Sequence, residues 1–284
     1  MILNGKVVAD SIKQQLKEEI YEAVAQGKRR PTLIIYTVGD DPASKVYVRN
    51  KIKTCEEIGI KVEHFATKPD ITTEQLKELI RWDNEAPGRD GIMVQLPLPE
   101  GYDEREIIDT IAPEKDVDGL TTTNIGKLRS GQPCIKPCTA QGIIDLLDYY
   151  NIEMDGKDVT IIGRSNIVGK PLADLMMARG ATVTQCHSKT KDISFHTYCA
   201  DIVVSAVGQP KTIKERSFCP GMTKAVIDVG INRDEDGKLC GDVDFENVKN
   251  RVEHITPVPG GVGPMTVAEL MKNTVECWKK NMEE

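Results

Sequence analysis

Val159-Thr160-Ile161-Ile162-Gly163-Arg164-Ser165-Asn166-Ile167-Val168-Gly169-Lys170-Pro171 is the stretch that decides the fold. Residues 159–162 read as a strand, and the pattern from about 168 to 179 reads as a helix that Gly180 ends. A strand, a glycine turn and a helix start in one run make an anion site. The glycines let backbone approach a diphosphate, and the first N–H groups of the helix, with its dipole, favour negative charge. The spacing departs from G-x-G-x-x-G: Ser165 stands where the second glycine would be, and Gly169 comes one position later than the third. An ordinary strand–helix turn gives the same string, so the motif alone fixes the fold better than the ligand.

Working outward, strand and helix patterns alternate on both sides. Towards the N-terminus, Ile12, Leu16, Ile20 and Val24 recur at helical spacing before Gly27. Strands are expected at 33–38, 61–66 and 91–96, and helices at 43–58, 72–86 and 103–111, with Leu76, Leu79 and Ile80 facing inward. Beyond a Gly/Thr/Pro-containing stretch at about 119–138 the pattern restarts. A helix is expected at 139–150, strands at 159–162, 182–186, 202–207 and 225–229, a hairpin around Asp236-Gly237, and a last amphipathic helix at 266–280. Such alternation predicts an α/β protein of βαβ units, with parallel sheets covered by helices on both faces.

Composition agrees and excludes several classes. The 284 residues suggest two domains, at about 100–200 residues each, or one large one. With 39% hydrophobic and 29% charged residues the chain can build a core. The net charge of −7 argues against a nucleic-acid binder, which needs an excess of Lys and Arg. No apolar run nears the roughly 20 residues that span a bilayer, and no export signal is visible, so a cytoplasmic protein is expected. The 8 cysteines are scattered and read as reduced, structural thiols; Cys134 and Cys138 lack a second close pair, so no metal site is expected.

The second expected strand of that half indicates the cofactor. NAD sites place a carboxylate about 20 residues past the glycines, on the ribose 2′-hydroxyl. Here the strand ends Gln185-Cys186-His187-Ser188-Lys189-Thr190, with no acid, while Arg164 sits in the turn. A guanidinium and a hydroxyl suit a 2′-phosphate, which favours NADP.

In the first half, Tyr47 and Lys51 are four residues apart and share one helix face. Gln95 is a polar residue at the C-terminal end of an apolar strand, the end where ligands bind in open α/β sheets. Asp118-Gly119 suits a tight turn. Thr256-Pro257-Val258-Pro259-Gly260-Gly261-Val262-Gly263-Pro264-Met265-Thr266 reads as a shaped loop at a helix start, without the lysine of a P-loop. Each of these has an ordinary reading too: aromatic packing beside a lysine, an edge glutamine, a simple turn.

Taken together and in order, Tyr47-Val48-Arg49-Asn50-Lys51, Val94-Gln95-Leu96-Pro97-Leu98-Pro99, residues 113–119, the 163–171 turn, His187-Ser188-Lys189-Thr190 and residues 257–266 closely resemble the bifunctional methylenetetrahydrofolate dehydrogenase/methenyltetrahydrofolate cyclohydrolase family. The resemblance covers nearly the whole chain. It implies two α/β domains flanking a cleft, the second a Rossmann-like NADP-binding domain, and a homodimer. The last helix would return to the first domain, giving 1–120 plus 256–284 for folate and catalysis and 121–255 for NADP.

Residue by residue, the resemblance makes Lys51 the central catalytic group, Tyr47 the residue that stacks on folate, Gln95 the partner of the lysine, and Asp118 the grip on the pterin ring. Val94 and Leu96, which flank Gln95, bind the substrate too, and Pro259, Gly260, Gly261, Val262 and Gly263 line the folate pocket. Gly163, Arg164, Ser165, Ser188 and Ile231 hold NADP. The implied reactions of one-carbon folate metabolism are oxidation of 5,10-methylenetetrahydrofolate with NADP and hydrolysis of the methenyl product to 10-formyltetrahydrofolate. Leu120-Thr121-Thr122-Thr123-Asn124 departs from the family, whose members more often carry an aromatic and a histidine there. Ser194-Phe195-His196-Thr197-Tyr198-Cys199 is not a family pattern either, and reads as a helix face. The alternatives are a monofunctional dehydrogenase, a shikimate-dehydrogenase-like enzyme, and a non-catalytic NADP-binding module. The Tyr-x-x-x-Lys pair and the Pro-Gly-Gly-Val-Gly-Pro-Met-Thr loop speak against the last two.

Overall fold

The computed structural model describes residues 1–68 and 70–283. The chain divides into two compact units, one of Ser11–Cys138 with Val267–Glu284 and the other of Met1–Asp10 with Thr139–Thr266.

The first unit holds a parallel sheet in the order β2-β1-β3, from β1 (Thr32–Val38), β2 (Lys61–Thr67) and β3 (Gly91–Val94). Alternation along β1 sends its side chains to two cores. Leu33 and Ile35 pack with Leu16 and Ile20 of α1 (Gly5–Ala25), Val48 and Cys55 of α2 (Pro42–Glu57), and Leu270, Val275 and Trp278 of α10 (Val262–Glu283). Ile34, Tyr36 and Val38 pack with Leu76 and Ile80 of α3 (Thr73–Glu85) and Ile107 of α4 (Glu104–Ile108). Both faces are covered, as the alternation predicts. On β3, Met93 faces the α2 side while Ile92 and Val94 face the α3 side.

Helix ends follow local chemistry. Thr72 and Gln75 form a capping box at the start of α3. Leu79, expected to face inward, is 40% exposed. The buried stripe of α3 is Leu76, Ile80 and Asp83, and Leu79 lies one residue off it. The threonine run after Gly119 builds an unpredicted helix, α5 (Thr122–Arg129): the Thr121 side chain accepts from Asn124 N and Asp109 accepts from both Thr122 N and its hydroxyl.

The second unit carries a five-stranded parallel sheet in the order β10-β7-β6-β4-β5. Its strands are β4 (Asp158–Ile162), β5 (Thr182–Cys186), β6 (Ile202–Ser205), β7 (Ala225–Asp228) and β10 (His254–Ile255). Helix α6 (Cys138–Tyr149) precedes β4, and α7 (Gly169–Ala178), α8 (Ile193–Tyr198) and α9 (Phe245–Val248) intervene; α8 is the Ser194-to-Cys199 stretch read as a helix. A small antiparallel pair, β8 (Asn232–Arg233) and β9 (Leu239–Cys240), flanks the Asp236-Gly237 turn. The chain runs from β4 to β5 on one side, then crosses to β6 on the other, so the strand order reverses beside β4. That reversal is the switch point where open α/β sheets bind ligands.

The unit boundaries differ from the expected 1–120 plus 256–284 and 121–255. Residues 121–138 pack with β1–β3, and 1–10 and 256–266 with β4–β10. Asn273 accounts for the first difference, donating to Val117 O (2.9 Å) and Lys136 O (3.0 Å). The second follows from pairing of the N-terminus with β10, through Leu3 N to Ile255 O (2.8 Å) and Lys6 N to Gly260 O (3.1 Å). Strand β10 is only two residues long, too short to leave a period in the sequence.

Candidate functional site

Helix α2 carries Lys51 on the face that packs against the sheet, and the lysine is only 5% exposed. Its ammonium donates to Gln95 Oε1 (3.1 Å) and reaches Met93 Sδ (3.9 Å). It also lies 5.3 Å from the centroid of the Tyr47 ring. Met93 and Gln95 are two apart, so the period of the strand aims both at Lys51. Strand β3 ends at Val94, but Gln95 N still donates to Tyr36 O (2.9 Å), which continues the pairing by one residue. Gln95 Nε2 donates to Leu96 O (2.6 Å), which turns the Oε1 towards the lysine. Both acceptors of Lys51 are neutral, so neither locks it in an ion pair.

Asp118 completes the group. Gly119 N donates to Asp116 O (3.0 Å), closing the expected turn. Gly119 has φ +69°, and a Cβ there would come within 2.5 Å of Lys136 C. Asp116 below it is fully buried and accepts from Thr121 N (2.8 Å) and Asn124 Nδ2 (2.9 Å). Burial pushes the Asp118 carboxyl above the usual carboxylate range, and the charge of Lys51 opposes that shift. Burial, then the charge of Asp118, pushes the Tyr47 phenol up in turn. The Tyr47–Lys51 pair, Gln95 and Asp118, from three separate parts of the sequence, are thus brought into one cluster.

Sequence reasoning missed two members of this cluster. Met93 passed as a core residue. Cys138, read as a bystander thiol, donates to Val117 O (3.2 Å) and lies against the Asp118 carboxylate. Burial holds its own thiol well above the ordinary range. The contact joins residues about 20 positions apart in the chain, so no local pattern announces it. On the opposite flank of α2, Arg49 and Lys53 join Thr37, His64, Gln95 and Pro97 around a cavity of about 1040 Å³. Gln95 therefore touches both flanks.

In the other unit, the glycine turn has the form expected of a dinucleotide site. Gly163 has φ +132°, and a Cβ there would overlap Ala206 O at the end of β6. A Cβ on Gly169 would overlap Gly163 O, so Gly169 provides the close packing of helix on turn. The N–H groups at the helix start are not all free. Ser165 Oγ accepts from Val168 N (3.2 Å) and Gly169 N (3.4 Å), long bonds that leave the hydroxyl hydrogen for another acceptor. Arg164 and Ser165 are exposed beside it. Gln185 Nε2 donates to Gly163 O (3.1 Å), which ties the end of β5 to the turn. The following residues close on themselves, His187 N donating to Thr190 Oγ1 (3.0 Å) and Lys189 N to His187 Nδ1 (3.1 Å), and Ser188 is left exposed. No carboxylate stands at that strand end. Ile231, after β7, is 55% exposed. A cradle of glycines with a cationic and hydroxyl rim, and without an acid, fits a dinucleotide carrying a 2′-phosphate.

The Pro259–Gly263 loop falls in this unit rather than the one with Lys51. Gly260 has φ +104°, and a Cβ on Gly261 would meet Pro257 O at 2.5 Å, so both glycines are required by the loop's path. Val262 is buried and Pro259 exposed. Among the described residues no group of three or more His, Cys, Asp or Glu could hold a metal ion, and no helix is long and apolar enough to cross a membrane.

Two family models match the chain. The tetrahydrofolate dehydrogenase/cyclohydrolase catalytic domain matches residues 3–118, and the NAD(P)-binding domain of the same family matches residues 137–282. The chain is 51% identical to the bifunctional protein FolD of Sulfurihydrogenibium sp. (strain YO3AOP1), over 100% of this chain and 99% of that one. It superposes with a TM-score of 0.96 on the bifunctional FolD methylenetetrahydrofolate dehydrogenase/cyclohydrolase of Campylobacter jejuni, at 44% identity and 99% coverage of both chains. The FolD of Trypanosoma brucei, solved with NADP and an inhibitor, superposes at TM-score 0.94 with 38% identity, over 100% of this chain and 99% of that one.

Proposed function

This chain belongs to the tetrahydrofolate dehydrogenase/cyclohydrolase family, and from that premise we infer that it oxidises 5,10-methylenetetrahydrofolate with NADP and hydrolyses the resulting 5,10-methenyltetrahydrofolate to 10-formyltetrahydrofolate. The observation that carries the reading is the buried Lys51 ammonium, held by Gln95 and Met93 beside Tyr47 and within the field of Asp118.

In this reading the unit with β1–β3 binds folate and the unit with β4–β10 binds the nucleotide. Tyr47 stacks on the folate, and the Asp118 carboxylate accepts from the amino and ring N–H groups of the pterin. Leu96, beside Gln95, belongs to the folate surface, whereas Val94, 3% exposed and packed on the α3 side, supports the strand from beneath. Gly163, Arg164, Ser165, Ser188 and Ile231 would hold NADP, with Arg164 and Ser188 towards the 2′-phosphate. Bound NADP supplies the hydride acceptor.

The first step needs no base. The two nitrogens flanking the one-carbon bridge donate lone pairs to the cation that forms as hydride leaves, so the protein contributes alignment. The second step does move protons. Water adds to the electrophilic methenyl carbon, sheds a proton, and the ring C–N bond breaks as the nitrogen at ring position 5 gains one. Lys51 is the group placed to carry that proton, and Gln95 fixes where the ammonium points.

The same reading makes the chain a cytoplasmic homodimer that handles tetrahydrofolate derivatives rather than nucleic acid or membranes; family membership and the −7 charge support it. The test is one spectrophotometric assay with methylenetetrahydrofolate, run with NADP and then NAD. Methenyl absorbance should rise with NADP and then decay. Absence of any change, with turnover of shikimate instead, would overturn the reading.

A further inference from the structure

Two buried carboxylates in the β4–β10 unit have no part in the chemistry above. Asp242 is fully buried and accepts from four groups: Ser205 Oγ (3.1 Å), Val207 N (2.8 Å), Gln209 N (3.0 Å) and Asn232 Nδ2 (2.9 Å). Asp228, 3% exposed, accepts from Gly230 N (3.0 Å), Asp242 N (2.9 Å) and Val243 N (2.8 Å). Each carboxylate packs against a glycine. A Cβ on Gly230 would overlap Asp242, and one on Gly241 would overlap Asp228.

What these carboxylates hold is more telling than how they are held. Strand β6 pairs with β4 with Ser205 opposite Ile162, and Ala206 N donates to Ile162 O (2.8 Å). Ala206 O is the atom that a Cβ on Gly163 would strike. The segment gripped by Asp242, Val207 to Gln209, therefore continues directly from the residue that touches the glycine turn. Across the sheet, exposed Ile231 lies between Gly230, bound by Asp228, and Asn232, bound by Asp242. Both gripped segments leave the carboxyl ends of strands at the switch point. Every partner named here is neutral, and a buried carboxylate without a cation is a costly way merely to brace a fold.

We propose that Asp242 is the positioning residue of the nucleotide site: with Asp228 it clamps residues 207–209 and 230–232 into one frame that sets Ile231 against the dinucleotide. The proposal rests on the reading that Gly163 and Ile231 belong to the NADP site. Asp242 touches no reacting atom; it acts through the loops it ties.

The reaction itself supplies the control, because hydrolysis of methenyltetrahydrofolate consumes no NADP. Asp242→Asn keeps the volume and one oxygen but aims an amide N–H at a backbone N–H. Asn232→Ala removes one bond only, from a partly exposed residue. In the full chain, NADP affinity, read by NADPH fluorescence, should weaken about tenfold or more in Asp242→Asn and less in Asn232→Ala. Hydrolysis of supplied methenyltetrahydrofolate without NADP should stay within about twofold in both. NADP affinity unchanged in both variants would overturn the proposal, and so would parallel loss of affinity and hydrolysis, the mark of a plain fold brace. If Asp242→Asn does not fold, Asn232→Ala decides alone by the same criteria. Failure of the underlying reading would look different: the unaltered chain would neither bind NADP nor turn over folate.

Discussion

Gln95 reaches Lys51 from the end of a strand 44 residues further along the chain, and its Oε1 is one of two acceptors, with Met93 Sδ, that the described residues give the buried ammonium. Gln95→Ala takes that acceptor away and leaves the ammonium facing a thioether. A hydrogen bond to a charged group is worth about 1.5–3 kcal/mol, so hydrolysis should fall roughly ten- to a hundredfold. Initial rates on methenyltetrahydrofolate check this. An unchanged rate would mean that the lysine is positioned without Gln95.

Gly163→Ala tests the cradle. The new methyl would overlap Ala206 O at a φ that only glycine adopts freely. Overpacking of this kind costs about 1–3 kcal/mol, so NADP binding should weaken about five- to a hundredfold. The loss should appear in the KM for NADP rather than in the KM for folate.

Arg164→Gln tests the choice of nucleotide. Removing the guanidinium should raise the KM for NADP about tenfold or more and leave the KM for NAD nearly unchanged, since only NADP carries the 2′-phosphate. Equal effects on both would remove Arg164 from that role.

Asp228 gives a pH signature in stability. Burial, opposed by three backbone N–H groups, pushes its carboxyl up to about 6. A raised folded value means that the folded chain binds the proton more tightly than the unfolded one. The associated stability is fully present below about pH 4, is lost as pH rises through 6, and amounts to roughly 3 kcal/mol. Melting temperatures of the unaltered chain and Asp228→Asn should lie closest near pH 4, where both side chains are neutral, and separate in the variant's favour as pH rises through 6 to 7. A constant difference would show that Asp228 titrates at an ordinary value.

The sequence already announces what repeats or punctuates. Strands β1, β4, β5, β6 and β7, helix α2 and the Gly163 turn lie within a few residues of expectation, because apolar periodicity and glycines mark them directly. What it hides is short or non-local. The two-residue β10 has no period, and the exposure of Leu79 depends on which neighbours α3 meets. Cys138 beside Asp118, Met93 beneath Lys51, and Asn273 across Val117 and Lys136 join residues far apart in the chain. The same holds at the unit boundaries, where Asn273 and the N-terminal pairing with β10 join segments far apart in the chain. The loop of Pro259 to Gly263 is legible as a shaped loop, but the unit it packs with is not.

The most direct measurement is a comparison of the two reactions in Lys51→Met. Methionine fills the buried lysine site without a charge, so the fold should hold. General acid–base catalysis is worth about 10²–10⁴, and hydrolysis of methenyltetrahydrofolate should fall by that much. NADP-dependent oxidation of methylenetetrahydrofolate should fall far less, because hydride transfer needs alignment rather than a proton carrier. If Lys51→Met still binds folate and NADP yet loses both reactions by the same factor, the division of labour assigned to Lys51 is wrong.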